Sequence, residues 1–385
     1  MLGRVLRAAG YGAPPPPAPT TPSLLRLGVL GAASIAPSAL LRPARFLGDR
    51  VVVTAVAARD ARRAAEFAAR HGVPKSYGSY AELLADPDVD AVYVPSPNGL
   101  HCAWVVRALE AGKHVLCEKP IASNADEARA MVAAAERAGK VLMEAAHSFH
   151  HPALIRAREI VRSGEIGEVT RVDATLEIPG FAIKSSDIRY NVNGSNAKLA
   201  GGAMMDVGSY VTNCVRYLAD AEIGDVSSAK ARERFPGVDE HMEAEFSFRD
   251  SRVAGGVVCG MTAGLSKGFF VSRAKVVGTK GSLTINNFVL PGVYHRIDVE
   301  VSEPKPPQRR TERAYGEQFR TTYEHQLLVF VDAVRKAEAD GRGGAARTST
   351  GGTIDNFVGC MEAIDAVYEK SGLGKRRGYA ADEVR

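Results

Sequence analysis

The amino-acid sequence predicts an α/β protein with two domains. The first is built on a parallel sheet, and the second is an α+β domain with an open, mainly antiparallel sheet. The chain has 385 residues, more than one hydrophobic core usually holds. Strands and helices alternate up to about residue 150, as they do where helices connect parallel strands. Beyond about residue 152, strand-like runs rich in Val, Phe and Thr follow one another without intervening helices, which is typical of antiparallel sheets.

The composition excludes several classes of protein. Hydrophobic residues make up 45% of the chain and charged residues 24%, which excludes global disorder. No uncharged apolar run reaches about 18 residues, so we expect no membrane association. The net charge of +5 is scattered rather than gathered into a basic stripe, so we expect no nucleic-acid partner. The five cysteines lack C-x-x-C spacing, which suits a reducing compartment.

Residues 1–24 are predicted to form a disordered tail rich in Pro and Ala. Pro14 to Pro17 favour an extended, solvated chain. The first acidic residue is Asp49, and Arg4 and Arg7 lie among apolar residues, so a weak organelle-targeting peptide is the alternative. We therefore expect a cytoplasmic protein, with a mitochondrial location as the alternative.

The first domain, predicted at residues 25–150, begins with the strand Leu25–Leu30 and the turn Gly31-Ala-Ala-Ser-Ile-Ala36. The pattern G-x-A-x-x-A is a relaxed form of the Rossmann dinucleotide-binding fingerprint, in which small residues let a pyrophosphate approach the backbone. Backbone amides at the start of the next helix would face the phosphates. A turn of small residues after a strand also occurs for packing alone. The candidate cofactor-binding residues of this turn are Gly31, Ala33, Ser34 and Ile35.

The end of the second strand, Val51–Ala57, predicts the type of dinucleotide. An NAD site would place Asp or Glu there for the ribose hydroxyls. The sequence has Arg59 instead, whose guanidinium can bind a 2′-phosphate through two hydrogen bonds. Asp60 comes one residue late and suits the N-cap of a helix at Ala61–His71. We therefore predict NADP, with NAD less favoured, and a solvated surface arginine is the alternative interpretation of Arg59.

Two further segments follow predicted parallel strands, where the ligands of such sheets gather. Pro95-Ser-Pro-Asn98 follows one strand, and Glu118-Lys119-Pro120 follows the next. Lys119 would point into the cofactor crevice, where it can donate to a substrate hydroxyl and lower a neighbouring pKa. The alternative is an ordinary surface Glu–Lys pair. The cofactor-binding candidates of these segments are Pro95, Asn98, His101, Glu118 and Lys119.

A distant segment adds two candidate catalytic residues. Gly201-Gly202 leads into an apolar-periodic helix on which Asp206 and Tyr210 are four residues apart, hence on one face. A tyrosine is a poor base at neutral pH unless a cation such as Lys119 stabilises its phenolate. Alternatively, Asp206 complements the helix dipole and Tyr210 is a core aromatic. The predicted catalytic set is Lys119, Asp206 and Tyr210, provided that this helix face turns toward Lys119.

The second domain is predicted at residues 151–385 and ends with helices at Tyr323–Ala339 and Ile354–Lys370. Ser302–Gly316 contains three prolines and is predicted to be a loop. An open sheet with helices on one face leaves the other face to be covered, and a second subunit is the usual cover. We therefore expect a homodimer that forms through this sheet.

The ordered motifs resemble the Gfo/Idh/MocA oxidoreductases. They are G-x-A-x-x-A, Ala57-Ala58-Arg59-Asp60, Tyr77-Gly-Ser-Tyr80, Glu118-Lys119-Pro120 and Gly201-Gly202…Asp206…Tyr210. The resemblance covers about residues 25 to 372. Within the family, Arg59 and Tyr210 look like those of NADP-dependent D-xylose 1-dehydrogenases and dimeric dihydrodiol dehydrogenases. The resemblance also implies a dimer.

The resemblance implies an enzyme that transfers a hydride between nicotinamide and a sugar or cyclic diol, such as a D-xylose-type aldose oxidised to its lactone. Tyr210 would accept the hydroxyl proton, Lys119 would tune its pKa, Asp206 would support the site, and Arg189 would line the sugar pocket. The alternatives are a non-catalytic NADP-binding regulator and a biosynthetic reductase of a keto-sugar or imine.

Two departures from the family pattern concern the substrate pocket. The segment from Glu144 to Pro152 lacks the arginine expected near Phe149, and an insert at residues 191–198 lengthens a loop at the mouth of the site. His147 and its neighbours His150 and His151 do not have the spacing of a closed zinc set, so we predict no metal site. His147 is instead a candidate substrate contact.

Overall fold

The structure is a computed structural model that describes residues 24–179, 199–249, 253–262, 270–303, 305–316, 320–341, 343–345 and 355–379. The first 23 residues of the predicted tail, Arg189 and the insert at residues 191–198 lie outside the described residues.

Among the described residues, the first sheet has seven strands, and every pair of neighbours runs parallel. Its order is β15-β6-β5-β4-β1-β2-β3, which contains the 3-2-1-4-5-6 order of Rossmann folds. The strands are β1 (Leu25–Leu30), β2 (Val51–Ala57), β3 (Lys75–Tyr77), β4 (Ala91–Val94), β5 (His114–Cys117), β6 (Val141–Glu144) and β15 (Gly344–Ala345).

Helices connect these strands. Their boundaries follow local capping signals: the Asp60 carboxylate accepts a hydrogen bond from the backbone N–H of Arg63 (3.2 Å), as predicted for an N-cap, and Gly72 ends the same helix in the left-handed conformation. The helices are α1 (Arg42–Phe46, after a π-helical turn at Pro37–Leu41), α2 (Ala61–His71), α3 (Tyr80–Ala85), α4 (His101–Glu110), α5 (Ala125–Ala138) and α6 (Pro152–Arg162).

The second sheet has eight strands in the order β14-β13-β12-β11-β7-β10-β9-β8. Its strands are β7 (Val169–Pro179), β8 (Ile223–Phe235), β9 (Val238–Phe248), β10 (Ala254–Thr262), β11 (Val271–Gly278), β12 (Gly281–Asn286), β13 (Arg296–Val301) and β14 (Gln308–Glu312). The remaining helices are α7 (Ser209–Ala219, after a π-helical turn at Met204–Gly208), α8 (Thr322–Asp340) and α9 (Phe357–Lys370). The fold class predicted from the sequence is confirmed, and the sheet is mixed because β7 and β10 pair in parallel.

The burial patterns explain why the two sheets have different sequences. Strand β4 is buried along its whole length, as expected where helices cover both faces of a parallel sheet. Strand β7 instead alternates, with Val172, Ala174 and Leu176 buried on the face covered by α6, α7 and α9. The opposite face carries ion pairs, such as those of Arg171 with Asp173 (2.7 Å) and with Glu245 (2.9 Å). A homodimer through this face remains a prediction.

Two parts of the C-terminal half differ from the expectation. Strand β14 lies within the segment predicted as a loop. The prolines of this segment precede Gln308–Glu312, so these five residues can still pair with β13. After the second sheet the chain returns to the first domain: Leu327, Phe330 and Val331 of α8 pack in the same core as β1, and β15 pairs with β6. The predicted second domain is therefore not one continuous unit from residue 151 onward.

The described residues include no helix that is long and apolar enough to cross a membrane.

Candidate active site

The glycine turn after β1 leaves space for a ligand. Gly31 has φ 134°, a conformation that favours glycine, and an ideal Cβ there would lie 3.3 Å from the Tyr80 hydroxyl oxygen. Ser34 and Ile35 are exposed, whereas Ala36 is fully buried against the sheet. Small residues are thus used for two purposes, an approachable backbone at Gly31 and close helix packing at Ala36.

Basic residues lie beside this turn. Arg59 is exposed at the end of β2. Arg63, in the first turn of α2, donates from Nη2 to the carbonyl oxygen of Ala32 (3.0 Å). Burial raises the pKa of Tyr80, and the charges of Arg59 and Arg63 oppose that shift, so all three lie around the turn. Sequence reasoning missed Arg63 and Tyr80, although a cation in the first turn of a helix, where the dipole favours acids, was a usable signal.

His101 joins two of the segments predicted to bind the cofactor. Its buried ring has Nε2 2.7 Å from the Ser96 carbonyl oxygen and Nδ1 2.9 Å from that of Pro120. Burial lowers the pKa of His101 to about 4. The side chain therefore holds the loops after β4 and β5 together, so that the half-buried Pro95 and the Lys119 segment share one edge of the sheet.

Asn98 connects this edge to the second domain. Its Nδ2 donates to the carbonyl oxygen of Ala200 (2.9 Å), directly before the paired glycines. Gly202 has φ 124°, and an ideal Cβ there would lie 2.1 Å from Oδ1 of Asp239. The buried Asp239 carboxylate accepts a hydrogen bond from the backbone N–H of Met204 (2.7 Å). The glycines thus let Asp239 fix the start of the π-helical turn before α7.

Glu118 anchors the segment that carries Lys119. The buried Tyr93 hydroxyl donates to Glu118 Oε1 (2.6 Å), and the backbone N–H of Lys119 donates to Glu118 Oε2 (3.2 Å). The peptide bond between Lys119 and Pro120 is cis. Burial raises the pKa of Glu118, and the hydrogen bond from Tyr93 opposes this rise. Glu118 therefore supports the backbone from which Lys119 projects.

The structure brings the three predicted catalytic residues together. Lys119 Nζ donates to Asp206 Oδ1 (2.7 Å) and to the Asp206 carbonyl oxygen (2.8 Å). The same ammonium lies 4.8 Å from the centroid of the Tyr210 ring. The Lys119 and Asp206 side chains are 14% and 17% exposed, so the pair is partly accessible to solvent. The helix face that carries Asp206 and Tyr210 does turn toward Lys119.

The expected tuning of Tyr210 by Lys119 needs a correction. Burial, reinforced by Tyr323 and by the acidic groups of Glu118 and Asp206, raises the pKa of Tyr210 well above its usual value. Lys119 faces the ring of Tyr210 and gives its hydrogen bonds to Asp206, not to the phenol oxygen. Tyr210 is therefore a neutral phenol in this arrangement.

The Tyr210 hydroxyl is hydrogen-bonded to His147. Nε2 of His147 lies 2.9 Å from Tyr210 Oη, and Nδ1 lies 2.9 Å from Oγ1 of Thr322, the first residue of α8. The His147 ring is 2% exposed, and its centroid is 4.2 Å from that of Tyr323. Burial and the charge of Lys119 lower the pKa of His147 to about 3. His147 thus lies behind Tyr210, and sequence spacing gave no sign of its link to Thr322.

The segment around His147 bears on two expectations, the absence of a metal site and the missing arginine near Phe149. The described residues contain no group of three or more His, Cys, Asp or Glu side chains that could hold a metal ion. Phe149, near which an arginine was expected, is fully buried and packs edge-to-face on Tyr217 with 5.5 Å between ring centroids.

Glu144 is a buried acid at the end of β6 that sequence reasoning did not assign. Its carboxylate accepts hydrogen bonds from the backbone N–H of Ile121 (2.9 Å) and from Asn213 Nδ2 (3.5 Å). Burial raises the pKa of Glu144 to about 7. It therefore joins the loop after Lys119 to helix α7, one turn beyond Tyr210.

Comparisons with known proteins agree with this geometry. Residues 25–146 match the oxidoreductase family with an NAD-binding Rossmann fold, and residues 154–284 match the GFO/IDH/MocA C-terminal domain. The chain belongs to the Gfo/Idh/MocA family of oxidoreductases. The family resemblance inferred from the sequence motifs is confirmed, and the protein is an oxidoreductase with a nicotinamide cofactor site.

Relatives within the family catalyse different reactions. The chain is 33% identical over 353 residues to dTDP-3,4-didehydro-2,6-dideoxy-alpha-D-glucose 3-reductase of Streptomyces violaceoruber, covering 91% of this chain and 96% of that protein. It is 33% identical over 358 residues to D-xylose 1-dehydrogenase (NADP(+)) 2 of Haloferax volcanii, covering 91% and 98%. The structure of KijD10, a 3-ketoreductase of Actinomadura kijaniata in complex with NADP and TDP-benzene, has a TM-score of 0.74 and 28% identity, covering 93% of this chain and 99% of that one.

Proposed function

We propose that the protein is an NADP-dependent dehydrogenase that oxidises a D-xylose-type aldose to its lactone. NADP supplies the hydride acceptor at C4 of its nicotinamide. The observation that supports this proposal best is the grouping of Lys119, Asp206 and Tyr210 at the carboxyl end of β5. A non-catalytic regulator would not need an acid–base pair in this crevice.

The proposed cofactor residues fit NADP. Gly31, Ala33 and Ser34 offer a backbone with small side chains for the pyrophosphate, and the exposed Ile35 follows them in the same turn. Arg59, which is exposed beside this turn, would bind the 2′-phosphate, and Arg63 lies close enough to assist. The relatives from Haloferax volcanii and Actinomadura kijaniata, which carry NADP in their names or complexes, support the same choice.

The proposed chemistry divides between two groups. The Lys119 ammonium would hold the substrate hydroxyl from its position beside Asp206. Tyr210 would accept the proton of that hydroxyl while the carbon that bears the hydroxyl loses a hydride. Because the burial of Tyr210 keeps it a neutral phenol, it is equally suited to donate a proton.

The neutral state of the Tyr210 phenol favours a second candidate, a reductase of a keto-sugar. In that direction the carbonyl carbon receives a hydride, the carbonyl oxygen receives the phenol proton, and an alcohol results. Equal identity to a dehydrogenase and to a 3-reductase leaves both directions as proposals.

The test is the absorbance of NADPH at 340 nm, followed in both directions with purified protein. The oxidation panel contains NADP or NAD with aldoses, inositols and a trans-dihydrodiol, and the reduction panel contains NADPH or NADH with keto-sugars. Turnover of D-xylose with NADP supports the dehydrogenase, and turnover of a keto-sugar with NADPH supports the reductase. Tight NADPH binding without turnover in either panel would instead favour the regulator.

The proposal includes a homodimer through the uncovered face of the second sheet. Light scattering after size exclusion should give twice the 41.0 kDa mass of one chain. A mass of one chain at micromolar concentration would contradict it.

A further inference from the structure

A buried carboxyl group lies behind the proposed catalytic residues and takes no part in the proposed chemistry. Glu144 is the last residue of β6 and is 4% exposed. Its Oε1 accepts a hydrogen bond from the backbone N–H of Ile121 (2.9 Å), two residues after Lys119. Its Oε2 accepts one from Asn213 Nδ2 (3.5 Å), three residues after Tyr210 on α7. One side chain therefore connects the turn that carries Lys119 with the helix that carries Tyr210.

Both hydrogen-bond partners of this carboxyl group are donors in fixed orientations. The partner at Ile121 is a backbone N–H, which can only donate. Oδ1 of Asn213 accepts a hydrogen bond from Nη1 of the fully buried Arg216 (2.6 Å), so Nδ2 is the atom that faces Glu144. Turning the Asn213 amide over would place its NH₂ group against the guanidinium. Only an ionised carboxyl group, which accepts at both oxygens, therefore satisfies both partners.

We propose that Glu144 is a positioning residue of the active site, an inference that rests on the proposed oxidoreductase function. As a carboxylate, it holds the Lys119 turn and helix α7 in the register that brings Lys119 beside Asp206 and Tyr210. Oε1 has the shorter hydrogen bond, so a proton binds at Oε2. Oε2 then presents a donor to the donor of Asn213, and the connection to α7 is lost. Without it, the groups that hold the substrate and exchange its proton are less well aligned.

The groups around Glu144 allow this change to occur near neutral pH. Burial raises the pKa of Glu144 to about 7, and the cations Arg216 and Lys119 limit the rise. Burial also raises the pKa values of the tyrosine and the two thiols that face the carboxyl group, so these three stay neutral near pH 7. The titratable groups that face Glu144 are Cys117 and Lys119 from β5 and the turn after it, Tyr210 and Arg216 from α7, and Cys360 from α9.

Glu144→Gln tests the proposal because it imitates the protonated acid permanently. Its Oε1 can accept from Ile121, whereas its Nε2 faces the Asn213 amide as a donor. At about pH 8.5 we expect kcat of Glu144→Gln to be at least about tenfold below that of the wild type, with the Kd for NADPH unchanged. At about pH 5.5 the two kcat values should be nearly equal, because Glu144 of the wild type is then protonated as well. A ratio of kcat values that is the same at both pH values would overturn the proposal.

Glu127→Gln is the matched control. Burial raises the pKa of Glu127 too, and its two oxygens accept hydrogen bonds from the backbone N–H groups of Ser123 and Gly378, each at 3.0 Å. This carboxyl group connects α5 with the C-terminal segment and contacts neither Lys119 nor α7 through these bonds. We expect Glu127→Gln to keep the kcat and the pH profile of the wild type. A loss that matches that of Glu144→Gln in size and pH dependence would overturn the particular role of Glu144.

A second measurement does not depend on turnover. NMR follows the side-chain amide signal of Asn213, assigned through its backbone connectivity, while the pH is changed. We expect this signal to shift with a midpoint near pH 7 in the wild type and to show no such midpoint in Glu144→Gln. A wild-type signal that does not titrate between about pH 5.5 and about pH 8.5 would overturn the proposal, even if Glu144→Gln does not fold. The expected titration without turnover in any substrate panel would contradict the proposed function alone.

Discussion

At the scale of single residues, we propose that Arg59 makes the site prefer NADP. Arg59 is exposed beside the glycine turn, where an acidic residue would favour NAD. The next residue, Asp60, is the N-cap of α2, because its carboxylate accepts a hydrogen bond from the backbone N–H of Arg63. Asp60 therefore does not compete for the ribose hydroxyls, and the guanidinium of Arg59 remains available for a 2′-phosphate.

Replacing Arg59 should change cofactor preference. Arg59→Ala removes charge-assisted hydrogen bonds worth about 1.5–3 kcal/mol, so the Kd for NADPH should rise roughly ten- to a hundredfold while that for NADH stays unchanged. Fluorescence titration measures both constants. Arg62→Ala is the matched control, because Arg62 lies three residues further along, in the first turn of α2, with its side chain 82% exposed, and should leave both constants unchanged. An equal loss of NADPH and NADH affinity would contradict the assignment of Arg59.

The sequence predicted the positions of the proposed catalytic residues better than their hydrogen-bond partners. Lys119 follows a parallel strand, and Asp206 and Tyr210 are one helical turn apart, so local geometry placed all three. The partner of each side chain depends on packing between distant segments. His147 contacts Thr322, 175 residues further along, and no local pattern could show that the phenol bonds to an imidazole.

At the scale of elements, the start of α7 depends on a buried charge. Asp239 on β9 is fully buried and accepts hydrogen bonds from the Met204 backbone N–H (2.7 Å), the Tyr368 hydroxyl (2.8 Å) and Arg376 Nη2 (3.2 Å). One carboxylate thus connects the turn before Asp206, helix α9 and the C-terminal segment.

Removing the Asp239 carboxylate should destabilise the fold. Asp239→Ala leaves Arg376 Nη2 and the Met204 backbone N–H without their acceptor, and breaking such a buried pair costs about 3–5 kcal/mol in the free energy of unfolding. Urea denaturation followed by circular dichroism measures this loss. Asp225→Asn, at an exposed position of β8, should change stability little. A loss below about 1 kcal/mol for Asp239→Ala would contradict the importance of this network.

Elements with strong local signals were predicted, and elements defined by pairing were not. Strands β1 and β2 lie at their predicted bounds because apolar runs and turn residues mark both ends. Strand β15 has two residues, and its existence depends on hydrogen bonds to β6. Likewise, β14 is polar and exists because β13 offers a free edge.

For the whole molecule, buried neutral histidines make stability depend on pH. Burial lowers the pKa values of six described histidines to between about 2 and about 4. They are His101, His114, His147, His150, His151 and His325. Since the unfolded state binds more protons below pH 6.5, these groups contribute stability that is present above that pH and lost as the pH falls. Glu144, with a pKa of about 7, acts in the opposite direction, and so do Glu118, Glu127, Asp239 and Asp365, whose pKa values burial also raises, so these acids reduce the slope that the histidines produce.

We therefore expect the midpoint of urea unfolding to fall steeply between pH 6.5 and pH 4.5. Each histidine contributes up to about 1.4 kcal/mol per pH unit in this window. His114→Gln should reduce the slope, because it removes one of these proton-binding groups. A midpoint that stays constant over this pH range would contradict the conclusion that burial lowers the pKa values of these histidines.

The assignment of Tyr210 as the proton-exchanging group is tested most directly by turnover of Tyr210→Phe with the substrate that the wild type accepts. The ring remains, the hydroxyl is lost, and the Lys119–Asp206 pair is untouched. We predict that kcat falls by roughly 10²–10⁴ while the Kd for NADPH stays within the error of the wild type. Turnover equal to that of the wild type would contradict the central role of Tyr210.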